Sequence, residues 1–407
     1  MQDSDVDREA AAKPVVLIVD DDPLIRKVLS RQLGQLGVDQ VSTADNGASA
    51  LRCLRSESPP ELILCDLQMP TMSGIEFLRQ LHFESYSGGI VLISGEAART
   101  RASATELLRA YGLHALGSLG KPVELAALAD VVARWADKPR PERACPPVVA
   151  SADPAETSRI LNQPLPGVVF EPLFRLGDNG ATGAVARPGL KGVDPAPYVA
   201  GGAILDARHS ATLADDLLKR FYPTAFAAAA PVLQQQPGWR LMLELPLHLL
   251  SQQADVDDLL ARAQNSDLAL NQMQFLLLGD VEPEQLEQTL HTTGQLVLNG
   301  ASLWAGGQDR SLRQLEGLLR LPLAGLCIDP ELVQRATRHP AAGELVKAFI
   351  ALGHALELAV ASLDIKDQAA FELCRAGGCD LASGPYIAPA LSTGSFTAWA
   401  GWQAAHG

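Results

Sequence analysis

Two apolar runs in the first part of the chain stop abruptly at acids. V-V-L-I-V-D-D-D-P spans Val15 to Pro23, and E-L-I-L-C-D-L-Q-M-P spans Glu61 to Pro70. A strand buried on both faces reads as a continuous apolar run, whereas a strand with one wet face alternates. Asp20, Asp21 and Asp66 therefore fall at the carboxyl ends of two buried strands, the edge at which open α/β sheets bind ligands. Three carboxylates gathered at one edge repel one another unless a cation joins them, and an all-oxygen donor set suits Mg²⁺. A further run, G-I-V-L-I-S, closes on Ser94, and a later apolar segment closes on Gly120-Lys121-Pro122.

Acid pair, single acid, hydroxyl and Lys-Pro, in this order and with D-L-Q-M-P-T-M-S-G, resemble the receiver domain of two-component response regulators over residues 14–137. The resemblance implies an α/β fold, a doubly wound five-stranded parallel sheet of flavodoxin-like topology. It implies Asp66 as the phosphoacceptor. It implies a Mg²⁺ site made by Asp20, Asp21, Asp66 and the backbone carbonyl of Gln68. Ser94 is then the hydroxyl that follows the phosphoryl group, and Lys121 its counter-charge. The chemistry agrees, because a carboxylate attacks phosphorus only where the incoming negative charge is neutralised. Gly95, after Ser94, leaves room for a phosphodonor. One position departs from the pattern. Receivers usually carry Tyr or Phe three residues before the lysine, and Ser118 stands there. A serine cannot fill or vacate an aromatic pocket, which puts the usual relay from Ser94 to the outer face of the sheet in doubt.

A length of 407 residues fits two or three domains. A formal charge of −14 argues against a nucleic-acid polymer as partner, which demands clustered Lys and Arg. The N-terminal residues 1–13 are polar and acidic, read as disordered and not as a signal peptide. The most apolar late stretch, Glu344 to Leu363, is interrupted by Lys347, His354 and Glu357. It reads as a buried helix followed by a strand, not as a membrane span, so the expected location is the cytoplasm. Cys53, Cys65, Cys145, Cys327, Cys374 and Cys379 have no histidines at zinc-ligand spacing around them. They read as reduced thiols, several of them buried. His248, in L-P-L-H-L-L, reads as structural.

Residues 138–164 are read as a Pro-rich, semi-stiff linker, with Pro139, Pro141, Pro146, Pro147, Pro154 and Pro164. A short helix is expected after Asp153-Pro154. From Gly167 onward, short apolar runs alternate with helical patterns. The runs are V-V-F-E-P-L-F-R-L, W-R-L-M-L-E-L, M-Q-F-L-L-L-G-D, G-Q-L-V-L-N-G, L-A-G-L-C-I-D, L-E-L-A-V-A-S-L and G-G-C-D-L-A-S-G. The helical segments are Ala211–Leu233, Asp255–Asn265, Glu282–Thr293 and Glu331–Leu352. Repeated strand–helix units of this total size fit a parallel (β/α)8 TIM-type barrel, with a second open sheet as the alternative.

Three phrases narrow this further: F-E-P-L-F-R-L, L-P-L-A-G-L-C-I-D and L-C-R-A-G-G-C-D-L-A-S-G-P-Y-I-A-P-A-L. In order and spacing they resemble the EAL-type cyclic di-GMP phosphodiesterases over residues 165–405. That family hydrolyses its substrate with two metal ions held by acids and an Asn at the strand ends. The positions matching its ligands read otherwise here. Gly183 or Val185 stands for the Glu of E-A-L, and Glu244 for an Asn. Leu276 and Gly279 stand for two acids, and Leu303 and Trp304 for two aspartates. Cys327 stands for a lysine, Ala361 for a Glu and Ser383 for a Gln. Asp329, Asp364 and Arg187 keep the family's character. Glu244, Asp280 and Asp329 form the one substitute metal set the sequence offers.

The expected function is that of a response regulator. A sensor histidine kinase phosphorylates Asp66, and the signal passes through a catalytically inactive EAL-like barrel, free of cofactor, to a downstream protein. The alternative is a non-hydrolysing cyclic di-GMP receptor, with Arg187 on a phosphate and Trp304 or Tyr386 stacked on guanine. A third reading is an active phosphodiesterase with altered ligands. Receivers and barrels of these families often pair, so the resemblance also implies a homodimer.

Overall fold

The computed structural model describes residues 13–54, 59–69, 74–84, 86–95, 113–136, 167–189, 220–281, 283–306 and 312–406, together with residues 72, 105, 108 and 111. The chain forms two compact units, which divide between Cys145 and Pro146. The disordered N-terminus (but for Lys13), the Pro-rich linker and its short helix lie outside the described residues.

In the first unit the order is β1 (Val16–Val19), α1 (Pro23–Gln35), β2 (Val41–Ala44), α2 (Gly47–Leu54), β3 (Leu62–Asp66), α3 (Gly74–Phe83), β4 (Gly89–Ser94), β5 (His114–Gly120) and α4 (Leu125–Ala136). The strands form one parallel sheet in the order β2-β1-β3-β4-β5. Every residue of β1, β3 and β4 is buried, as continuous apolar runs require. Val16, Ile18, Leu64 and Val91 on one sheet face pack with Leu29 and Leu33 of α1 and Leu128 and Val131 of α4. Each such side chain contributes about 1.5–3 kcal/mol through its burial. Helix α1 starts where Asp22 accepts a 2.7 Å bond from the Leu24 amide and Pro23 presets the first turn. Strand β5 is less regular. Its register against β4 slips between Ile90 and Val91, opposite Gly117 at φ 129°, and Ser118 follows half-buried beside Leu92.

The second unit is a closed eight-stranded barrel. Its strands are β6 (Gly167–Arg175), β7 (Ala181–Gly189), β8 (Arg240–Pro246), β9 (Met273–Leu278), β10 (Ser302–Gly306), β11 (Gly325–Ile328), β12 (Ala359–Ser362) and β13 (Leu381–Ala382). They pair in sequence order, and β13 closes onto β6. The helices between them are α5 (Tyr222–Gln235), α6 (Gln253–Gln264), α7 (Leu286–Leu298), α8 (Leu312–Leu319), α9 (Pro330–Ala336), α10 (Pro340–Ala355) and α11 (Gln368–Gly377). A short strand β14 (Leu391–Ser392) and α12 (Thr393–His406) complete the chain. Among the described residues, no helix is long and apolar enough to cross a membrane.

Three sequence expectations need correction. The barrel is not wholly parallel, because β6 runs antiparallel to both β7 and β13. Residues 176–180 join β6 to β7, and a parallel pair needs a crossover of a dozen or more residues, so the chain must reverse. The run Gly294–Gly300 is not a strand. Thr289, Thr292, Thr293 and Leu296 are buried at helical spacing, so α7 continues to Leu298 and stops before Gly300 at φ 103°. The strand is the following Ser302–Gly306. The helix over Glu331–Leu352 is two helices, separated at His339-Pro340 because proline cannot continue α9 but starts α10.

Phe170 of β6 stacks on Phe396 of α12, with ring centroids 4.3 Å apart, and Val360 of β12 packs against Gly353 of α10. Those side chains face the outer helices. Alternation along each strand then turns Glu171, Arg187, Glu244, Leu276, Trp304, Cys327 and Ala361 inward.

Candidate functional site

The strand ends of the first unit bring three acids together. Asp20 follows β1 and Asp66 ends β3, two neighbouring parallel strands, and Asp21 lies at the start of the turn into α1. One carboxylate oxygen from each of Asp20, Asp21 and Asp66 lies within 4.8 Å of the others. Asp20 and Asp66 are buried, at 1% and 4% exposure, while Asp21 is exposed. Lys121 follows β5 and sets its Nζ 2.8 Å from Asp20 Oδ2 and 2.7 Å from Asp66 Oδ2. One ammonium against three carboxylates leaves negative charge unmatched, and the donors are all oxygens. That combination fits a hard divalent cation such as Mg²⁺ held by Asp20, Asp21 and Asp66.

The surroundings hold the Asp66 carboxyl in place. Burial pushes the Asp66 carboxyl up, against the lowering effect of its bond from Lys121 and of the Gln68 amide, which donates to Asp66 Oδ1 at 3.3 Å. Burial works against the Lys121 charge, yet its hydrogen bonds to Asp20 and Asp66 hold the ammonium above its ordinary value. The Asp22 amide donates to Asp20 Oδ1 at 2.9 Å. Ser94 ends β4, one residue past Ile93, which pairs with Asp66, and is 1% exposed. The Lys121 amide donates to the Ser94 carbonyl at 3.0 Å, tying the two strand ends together. Among the described residues, no atom lies within 4 Å of a Cβ placed on Gly95. The sequence-predicted residues Asp20, Asp21, Asp66, Gln68, Ser94 and Lys121 thus meet at one edge.

The barrel interior is different. Register places Ala186 of β7 beside Leu243 of β8, so Arg187 adjoins Glu244. The Arg187 guanidinium bonds Glu244 through its Nη1 and lies, through Nε, 2.9 Å from Glu171 Oε2 on β6. All three residues are 2–4% exposed. Tyr222 of α5 donates its hydroxyl to the Glu244 carbonyl at 2.6 Å, which holds β8 in place. Burial pushes the Glu244 carboxyl up, against Arg187, and Glu171 adds to the rise. Asp364, just past β12, is raised by burial and by Glu171, and Lys366 lies 3.1 Å from its Oδ2.

The other inward positions that match the family's ligands carry no carboxylate. Leu276, Trp304 and Cys327 are buried, and Trp304 occupies the space a side chain on Gly325 would need. Burial pushes the Cys327 thiol up to about 12, so it stays protonated. Glu244, Asp280 and Asp329 do not converge: among the described residues, the acids that do are Asp20, Asp21 and Asp66. Asp329 caps α9 instead, accepting from the Glu331 amide at 2.7 Å. Arg187, expected to hold a phosphate, is occupied by two glutamates. Trp304, expected to stack on a base, is 3% exposed inside the barrel, and the Tyr386 ring lies against Phe371, with centroids 5.6 Å apart. The residue that sequence reasoning missed is Glu171. Its signal was a charge inside the apolar phrase V-V-F-E-P-L-F.

Residues 16–133 match the response regulator receiver domain, and residues 199–390 match the EAL domain. Over 379 residues the chain is 22% identical to the cyclic di-GMP phosphodiesterase RocR of Pseudomonas aeruginosa, covering 91% of this chain and 94% of that protein. Over 132 residues it is 34% identical to the autoinducer 1 sensor kinase/phosphatase LuxN of Vibrio campbellii, covering 32% of this chain and 15% of that protein. The fold resembles that of the EAL enzyme Bd1971, solved with cAMP and cyclic-di-GMP bound. The TM-score is 0.51 at 14% identity, over 60% of this chain and 67% of that one.

Proposed function

We propose that this chain, a response regulator receiver domain joined to an EAL domain, takes a phosphoryl group on Asp66 and signals through protein contacts of a barrel that does not hydrolyse cyclic di-GMP. The observation that carries the reading is the pairing of the acid cluster with Lys121, which bonds Asp66 and Asp20 at once. The donor is a phosphohistidine of a sensor kinase. An Asp66 oxygen attacks phosphorus, the P–N bond breaks, and the imidazole nitrogen leaves with its electron pair and takes a proton. Lys121 shifts to the incoming phosphoryl oxygens, and Ser94 donates to one of them. A bound Mg²⁺, held by Asp20, Asp21, Asp66 and the Gln68 carbonyl, would neutralise charge on the transferring group.

The inward residues Leu276, Trp304, Cys327 and Ala361 support a barrel that does not cleave phosphodiesters, since none offers a carboxylate. Phosphorylation then acts as a charge added at the sheet edge that biases a conformational equilibrium a downstream protein reads. We place the protein in the cytoplasm with its kinase, and a homodimer is compatible with this reading.

The test compares full-length protein with its Asp66→Asn variant, each with Mg²⁺ with and without beryllofluoride as phosphoryl mimic. Hydrogen exchange of barrel amides and oligomeric state are the readouts. Changes confined to Asp66-containing protein are expected, and identical profiles would sink the proposal. In parallel, cyclic di-GMP is incubated with Mg²⁺ or Mn²⁺ and titrated calorimetrically. No linear product and no binding heat are expected. Product would establish a phosphodiesterase, and heat without product a nucleotide receptor.

A further inference from the structure

The EAL fold implies metal ions among acids at the strand ends, and the residues of this barrel do not fit them. Among the described residues two inward carboxylates remain, Glu171 and Glu244, with Asp364 nearby. Between the first two sits a guanidinium, bonded to Glu244 and 2.9 Å from Glu171. A divalent ion takes carboxylate oxygens at about 2.0–2.6 Å, so it and Arg187 compete for the same atoms and the same space. A second observation stands apart from the acids themselves. Glu244 Oε2 is buried and has no hydrogen-bond partner among the described residues, although Oε1 is bonded to Arg187. A buried oxygen without a partner calls for an explanation, and a cation that reaches Glu244 from one side only supplies one.

We infer that Arg187 is a built-in cation, which neutralises Glu171 and Glu244 from within the chain and makes the barrel's folded state independent of divalent metal. Arginine suits this role. It stays charged at any working pH, and its planar fork meets a carboxylate on each of two edges. It needs no open path for an ion to enter, which accords with 3% exposure. A corollary follows for the acids: with the guanidinium removed, Glu171 and Glu244 become the nucleus of a divalent-cation site. The inference goes beyond the proposed signalling role, which concerns what the barrel tells a partner and not what holds its centre.

The test uses the full chain with Asp21→Asn and Asp66→Asn, which removes the receiver's own ion site, and Mn²⁺ as probe. Bound Mn²⁺ is counted by electron paramagnetic resonance, and thermal unfolding is followed through tryptophan fluorescence. In this background no Mn²⁺ binds and the unfolding midpoint does not respond to Mn²⁺. Arg187→Ala lowers the midpoint by roughly 10 °C. It gains one bound Mn²⁺ per chain, and Mn²⁺ restores part of the lost stability. Adding Glu244→Gln abolishes both gains. Mn²⁺ bound with Arg187 in place would overturn the inference, and so would an Arg187→Ala protein indifferent to Mn²⁺, the behaviour of an ordinary ion pair. Should Arg187→Ala not fold, Arg187→Gln keeps most of the volume and is refolded with and without Mn²⁺. A higher folded yield with Mn²⁺ supports the inference, and equal yields overturn it. Hydrolysis and partner-binding assays read the proposed function separately, so the two can fail independently.

Discussion

Gly74 lies against Asp66 through the backbone: a Cβ at Gly74 would stand 2.2 Å from the Asp66 carbonyl oxygen and 2.7 Å from Leu67 Cα. The Gly74 amide donates to the Leu67 carbonyl at 3.1 Å. A residue with no side chain thus packs directly on the backbone of Asp66 and Leu67.

Gly74→Ala should therefore displace the end of β3 at Asp66. We expect loss of about 1–3 kcal/mol in urea unfolding of the first unit, the usual cost of forced overpacking. Phosphorylation of Asp66 by acetyl phosphate should slow in parallel. A variant with unchanged stability and unchanged labelling rate would contradict this contact.

Lys121→Met separates two effects of one ammonium. Lys121 competes with a divalent cation for Asp20 and Asp66, so its removal should tighten Mg²⁺ binding, read by fluorescence or calorimetry. It also neutralises the incoming phosphoryl group, so Asp66 labelling should fall by roughly tenfold or more. Movement of both quantities in the same direction would show that Lys121 does not share these carboxylates as the structure has it.

Gly183, one of the two residues that stand for the Glu of E-A-L in the resemblance, has φ 147°, and a Cβ there would meet the Arg240 carbonyl oxygen at 1.8 Å. Gly183→Glu should destabilise the barrel by about 2 kcal/mol or more without creating hydrolysis of cyclic di-GMP. Wild-type unfolding behaviour together with appearance of a linear product would refute it.

Barrel stability should also depend on Glu244 with a definite sign. Burial raises its folded carboxyl above the ordinary 4.5, so the folded state holds the proton more tightly than the unfolded one. Its contribution is greatest below that ordinary value and declines as pH rises through the raised folded value. In difference measurements, Glu244→Gln should remove this slope. An opposite slope, or an unchanged one in the variant, would refute the assignment.

The first unit was legible because its strands are buried on both faces, where burial leaves no choice but apolar residues. Val16–Val19, Leu62–Asp66 and Gly89–Ser94 announce themselves, and the residues closing them are the site. The barrel was legible as a fold, but less so in its chain direction and its interior. The reversal between β6 and β7 was carried by Asp178-Asn179-Gly180, a hairpin signal with Asn179 at φ 56°, which strand–helix alternation overshadowed. Strand β10 was hidden because α7 runs through an apolar stretch before it. Glu171 was invisible as a partner because it lies on a different strand from Arg187, and only register brings the two together.

The reversal of β6 has a mechanical consequence. Gly167 pairs with Gly189, the last residue of β7, so the polypeptide enters the barrel at the rim where the parallel strands end. The strand it enters is also the one that carries Glu171, four residues further on. A displacement of Gly167 is thus delivered along a single strand to the stave that holds Glu171 against Arg187.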